Sequence, residues 1–160
     1  MTIFATFQTK FQGIIDRLVA NGTLPKALDI SRVVFELPRD VSHGDLATNA
    51  AMVLAKQSAM IPRNLAELFA EELDKIIGVT AVEVAGPGFI NLRISPRLWA
   101  NEVAEILKAG TDYGRSNIGD GKPVNVEFVS ANPTGPLHAA HARGAVIGDA
   151  LAGLMGFCGW

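Results

Sequence analysis

Phe4, Phe7, Phe11, Ile14, Ile15 and Leu18 recur at helical spacing, and Asn21-Gly22 ends the pattern. Val33 to Leu37 is a short β-rich run closed by Pro38, and Asp40 to Asp45 reads as a loop. Leu46 to Lys56, rich in alanine, predicts a closely packed helix. Pro62 opens another, with Leu65, Leu68, Phe69, Leu73 and Ile76 on one face and Gly78 as its stop. Val79 to Val84 and Phe89 to Ile94 are β-rich and joined through Ala-Gly-Pro-Gly, which predicts a hairpin. Ser95-Pro96 then starts a helix carrying Leu98, Trp99, Val103, Ile106 and Leu107 to Gly110.

The texture changes at Gly110. GTDYGRSNIGDGKP has few apolar residues and reads as a linker or domain boundary. Beyond it Val124, Val126 and Phe128 alternate as a strand, Ala131 to Leu137 form a loop, and a helix runs from about His138 towards Met155, with Gly156 and Gly159 near its end. The expected architecture is an α+β unit over residues 1–115, helices packed on a small antiparallel sheet, then one strand, one loop and one helix over 116–160. Three such elements cannot bury a sheet alone, so the chain is expected to stop inside a second domain.

Composition narrows the function classes. Of the 160 residues 49% are hydrophobic and 19% charged, enough for a real core. A net charge of −2 and a pI near 5.9 argue against a dense basic nucleic-acid surface, but not against a few well-placed contacts. The single cysteine, Cys158, excludes an internal disulfide and suits a reducing cytoplasm. No apolar run approaches the ~20 residues that span a bilayer.

PTGPLHAAHARG, residues 133–144, holds two of the three histidines. A strand, a Gly/Pro loop and a helix start form the geometry of a phosphate site in an α/β sheet. At i and i+3, His138 and His141 share one face of the first turn, where imidazoles can donate to phosphate oxygens. Both are expected to face a ligand cleft and to contribute little to folding. No third ligand stands at a matching spacing for a metal, and neither the P-loop nor the dinucleotide fingerprint occurs. A chance surface pair at a helix start stays open on spacing alone. His43, in Ser-His-Gly-Asp, reads as a structural turn residue.

VEFVSANPTGPLHAAHARGAVIGDAL, Val126 to Leu151, closely resembles the first strand, signature loop and first helix of arginyl-tRNA synthetases, with His138 to His141 at the His-Ile-Gly-His signature of class I synthetases. HGDLATNAAMVLAKQ (His43 to Gln57), AGPGFINLRIS (Ala85 to Ser95) and YGRSNIGDGKPVNVEF (Tyr113 to Phe128) are similar to that family's upstream motifs, in the same order. The four-residue signature alone is weak, since pantothenate synthetase and other nucleotidyltransferases carry similar ones.

The resemblance implies a tRNA-elbow-contacting domain over 1–115 and the start of a Rossmann-like catalytic domain over 116–160. It implies an aminoacyl-tRNA ligase that activates arginine with ATP, Mg2+ accompanying the nucleotide and no metal bound by the protein, and transfers it to arginine tRNA. His138 and His141 are then catalytic, and His138, Ala140 and His141 bind ATP. Glu127, Ser130 and Asn132 line the arginine pocket. Phe89 and Asn91 meet an unpaired tRNA base, by stacking and edge hydrogen bonds. Ala140 departs from the family's usual glycine, where adenine comes close to the backbone. The Lys-Met-Ser-Lys-Ser second signature and the anticodon-binding helices are absent from these residues, so the chain reads as an N-terminal piece, inactive by itself. The alternative is a stand-alone RNA-binding module without catalysis.

Overall fold

The computed structural model describes residues 2–160, in two compact units that divide between Tyr113 and Gly114. The first unit begins with α1 (Ile3–Ala20), capped by Thr2, whose hydroxyl accepts the Ala5 N–H at 3.3 Å. Ile3, Phe7, Phe11, Ile14, Ile15 and Leu18 form its buried stripe. Phe11 sits between Phe35 and Phe69, at centroid distances of 5.7 and 5.0 Å and edge-on to both. Such tilted pairs are the favoured aromatic geometry.

The sheet has four strands in the order β1-β2-β4-β3, all antiparallel: β1 (Phe35–Glu36), β2 (Leu46–Thr48), β3 (Val79–Ala85) and β4 (Phe89–Ile94). Helices α2 (Ala50–Ser58) and α3 (Pro62–Asp74) pack on it, with Leu54, Leu65, Phe69 and Leu73 meeting Leu46, Ile90 and Leu92 in one core. Helices on a small antiparallel sheet are therefore the observed architecture of this unit. A fourth helix, α4 (Pro96–Ala109), follows β4 and buries no residue fully.

Two local expectations change. Leu46 to Thr48 form a strand where the alanine-rich pattern predicts helix. The cause is Asp45: its N–H donates to the Leu92 carbonyl at 2.8 Å, and its carboxylate accepts the Ile94 N–H at 2.8 Å. That double clasp lays the following residues along β4, Leu46 opposite Leu92 and Thr48 opposite Ile90, and the helix begins only at Ala50. Gly44 permits the clasp. Its φ is +126°, and a Cβ there would lie 2.6 Å from the Leu92 carbonyl oxygen. Val41–His43, within the expected loop, form one 3-10 turn.

In the second unit α5 (Ala139–Phe157) forms as expected, but the strand predicted for Val124 to Phe128 does not. A strand needs a neighbour for its N–H and C=O groups, and the sheet consists of β1 to β4. Val129, at φ +58°, turns the chain away from extended backbone. Phe128 instead packs on α5 at Gly148, where a Cβ would lie 2.2 Å from that ring's Cβ. The polar stretch before it is not slack. Gly119 and Gly121 donate N–H groups to the Cys158 and Gly159 carbonyls at 3.0 and 2.8 Å, closing the end of α5, and the Arg115 guanidinium lies 4.7 Å over the Phe157 ring.

Candidate functional site

His138 is the N-cap of α5, in extended conformation at φ −120° and ψ 176°. Its Nδ1 accepts the Ala140 N–H at 3.3 Å, and its own N–H donates to Nδ1 of His141 at 3.2 Å. The two rings stack with centroids 3.8 Å apart and planes 30° apart. Because both Nδ1 atoms act as acceptors, each neutral ring carries its proton on Nε2. The pair thus offers two Nε2–H donors from adjacent rings at a helix N-terminus.

This arrangement corrects one expectation. The histidines hold the helix start as well as facing outward, so they contribute to folding. The main-chain donors of the first turn are also largely used: His141 and Ala142 donate to the His138 carbonyl at 2.9 and 3.1 Å, and Ala140 to the His138 ring. An anion arriving here meets imidazole donors more than free backbone N–H groups. Ala140 is exposed, its methyl on the surface of this turn.

Glu127, Ser130 and Asn132 are exposed on the irregular segment before α5. The structure does not gather them with the histidines around one cavity; the two described cavities are lined by first-unit residues alone.

Phe89 and Asn91 do come together. Ile90, Leu92 and Ile94 point into the core, so Phe89, Asn91 and Arg93 lie on the opposite face of β4. Asn91 sits opposite Ala47 on β2 and Glu83 on β3, and Phe89 opposite Ala85. The two alanines leave space that a larger residue would fill, and a cavity of about 900 Å³ opens there, lined by both Phe89 and Asn91. Phe89 is 43% exposed, a ring face available for stacking. Asn91 is only 6% exposed, yet no side-chain hydrogen bond to it is found among the described residues, and no buried polar atom is sealed without a partner. Its amide therefore opens into the cavity.

Sequence reasoning missed the rest of this cavity. Arg32, Arg39, His43 and Lys56 also line it, with Glu36 as the acidic member. No local signal in the sequence groups these residues, and only the fold brings them beside β4. In Ser-His-Gly-Asp, His43 closes the 3-10 turn, its N–H donating to the Asp40 carbonyl at 3.0 Å, and is exposed at the cavity, while Gly44 and Asp45 form the clasp on β4. Among the described residues no group of three or more His, Cys, Asp or Glu is placed to hold a metal ion, and no helix is long and apolar enough to cross a membrane.

The structure defines an α+β unit with an open aromatic-and-amide cavity, followed in the chain by a histidine-capped helix. The chain belongs to the family of the arginyl tRNA synthetase N terminal domain, whose model matches residues 5–94. It is 54% identical over 160 residues to an arginine–tRNA ligase of Xanthobacter autotrophicus, covering 100% of this chain and 27% of that protein. A Novosphingobium aromaticivorans arginine–tRNA ligase is 56% identical over 159 residues, covering 99% of this chain and 27% of the relative. The chain thus spans about a quarter of the length of these curated relatives. The fold is similar to the crystal structure of arginyl-tRNA synthetase from Plasmodium falciparum, with a TM-score of 0.66 at 18% identity, over 98% of this chain and 29% of that one.

Proposed function

We propose that the chain is the N-terminal part of an arginine–tRNA ligase, a cytoplasmic enzyme of protein synthesis. The observation that carries this is the alignment of the whole chain, through the histidine pair, with arginine–tRNA ligases at about 54% identity. Residues 1–115 are the tRNA-elbow domain, and residues 116–160 open a Rossmann-like catalytic domain whose first strand pairs only when the neighbouring strands are present.

In the proposed reaction the carboxylate of arginine attacks the α-phosphorus of ATP. The bond to the bridging oxygen breaks, pyrophosphate leaves, and the aminoacyl group passes from the adenylate to the terminal ribose of arginine tRNA. The step needs charge stabilisation and positioning more than a covalent group from the protein. The two Nε2–H groups of His138 and His141 supply donors to the phosphate oxygens, with tautomers fixed by the reciprocal backbone bonds. Ala140 lies under the adenine. Glu127 pairs with the guanidinium of arginine through paired hydrogen bonds, and Ser130 and Asn132 complete that pocket. Mg2+ arrives with the nucleotide, bound by its phosphates. Phe89 stacks on an unpaired tRNA base and Asn91 bonds its edge.

The test is a chimera in which this chain replaces the aligned residues of the Xanthobacter relative. ATP–pyrophosphate exchange is measured with arginine tRNA present. Exchange that requires arginine is expected, against background for the 160-residue chain alone. A folded chimera without exchange overturns the proposal.

A further inference from the structure

The cavity beside β4 is larger and more cationic than one stacked base requires. Its volume, about 900 Å³, stands near the top of the roughly 300–1,000 Å³ range of ligand pockets. Arg32, Arg39 and Lys56 line it and are all exposed. Among the described residues, ion pairs within 4.0 Å are formed by Arg17, Arg63 and Lys75, none of which lines this cavity. Asp29 partly offsets Arg32: hydrogen bonds from Ser31 hold the Asp29 carboxyl below its usual range, and the Arg32 guanidinium adds to that. Glu36 is the one carboxylate on the lining. In a chain of net charge −2, three cations and one carboxylate line the cavity around a deeply set amide that has no side-chain hydrogen bond among the described residues. A solvated lysine-and-arginine face alone would carry no such amide. Asn91, 6% exposed and open to the cavity, offers an amide to which a bound ligand can hydrogen-bond.

We infer that Arg32, Arg39 and Lys56 hold the phosphates flanking the nucleotide whose base rests on Phe89 and Asn91, so that the cavity binds a short single-stranded RNA segment. Resting on the tRNA-contact reading of Phe89 and Asn91, the inference assigns three further residues to that contact. Arg39 and Lys56 carry more of the charge term than Arg32, which Asp29 partly neutralises. Single-stranded RNA fits better than duplex because the base must leave its stack to reach a ring and an amide set on a sheet. Phosphate contacts position the strand, and Asn91 reads the base edge.

The experiment uses the full 160-residue chain and two probes: an RNA hairpin with an unpaired loop, and the same stem as a closed duplex. Dissociation constants are measured from about 50 to 200 mM salt, the interval over which counterion release is readily resolved. Each cation lost from a single-strand contact should reduce the salt slope by about 0.7. Arg32→Gln, Arg39→Gln and Lys56→Gln combined should flatten it by about 2, removing roughly a 20-fold salt effect over that interval. Charge-preserving Arg39→Lys should keep the slope. Phe89→Ala should weaken hairpin binding about 5–150-fold with the slope intact, as expected for a lost stacking platform.

An unchanged slope in the triple variant, with Phe89→Ala still weakened, overturns the phosphate assignment and leaves the base contact standing. If Phe89→Ala binds like the unaltered chain, the base contact fails and takes this inference with it. Duplex RNA or polyglutamate binding as tightly as the hairpin also overturns it.

Discussion

Replacing His138 by Ala removes two different things, one seen in the structure and one that belongs to the proposed function. The first is a helix cap: the ring accepts the Ala140 N–H at 3.3 Å and stacks on His141 at 3.8 Å. Losing an N-cap acceptor costs about 1 kcal/mol, within a range of about 0.5–2. For a chain of this size that lowers the melting temperature by about 2–4 °C. The second loss is a preorganised donor to a charged transition state, for which the typical cost is about 10²–10³ in rate, or roughly 2.7–4 kcal/mol. His138→Asn separates the two. Asparagine is among the best N-cap residues, so its side-chain oxygen should restore the cap, while its short amide cannot stand in for the outward Nε2–H. Thermal melts of the 160-residue chain and arginylation rates of the chimera are the assays. We expect His138→Ala to be impaired in both, and His138→Asn to recover the melt but not the rate. If His138→Ala melts lower yet keeps its rate, the pair is a structural cap and the phosphate role is refuted.

Other outcomes follow from single contacts. Gly44→Ala should destabilise the first unit by about 1–3 kcal/mol in urea denaturation, the range for a side chain forced into filled space, because its Cβ meets the Leu92 carbonyl at 2.6 Å and its φ is +126°. Glu72 sits between Lys75 and Arg17, which hold its carboxyl below the usual range, Lys75 first. A lowered folded-state pKa contributes stability above the unfolded value of about 4.3, lost as pH falls through the folded one; the urea-midpoint gap between the unaltered chain and Glu72→Gln should therefore be present at neutral pH and close in acid. Ala140→Gly in the chimera should lower the KM for ATP with little change in kcat, if the methyl crowds adenine in the ground state.

Most of the first unit is legible in the chain because its elements carry their own signals. The phenylalanine and isoleucine stripe of α1, Pro62 at the start of α3, and the Ala-Gly-Pro-Gly hairpin each encode a local preference that the core then rewards. Leu46 to Thr48 depart from the helical pattern because alanine-rich local propensity loses to a tertiary clasp, the Asp45 bonds to Leu92 and Ile94, which no periodicity reveals. Val124 to Phe128 alternate correctly but have no strand beside them to complete a ladder. The candidate sites divide the same way. The histidine pair is visible because its spacing is local. The cationic lining of the β4 cavity is not, because Arg32, Arg39 and Lys56 meet Phe89 only after the sheet has closed.

In the proposed enzyme the two units serve different halves of one reaction, and the kinetics of tRNA arginylation by the chimera separate those halves. With Phe89→Ala, the KM for arginine tRNA should rise while kcat changes little. With His141→Ala, kcat should fall about 10²–10³-fold while the KM for tRNA stays put. A full kcat in the His141 variant, or the same parameter moving in both, would show that the two units do not divide the reaction in this way.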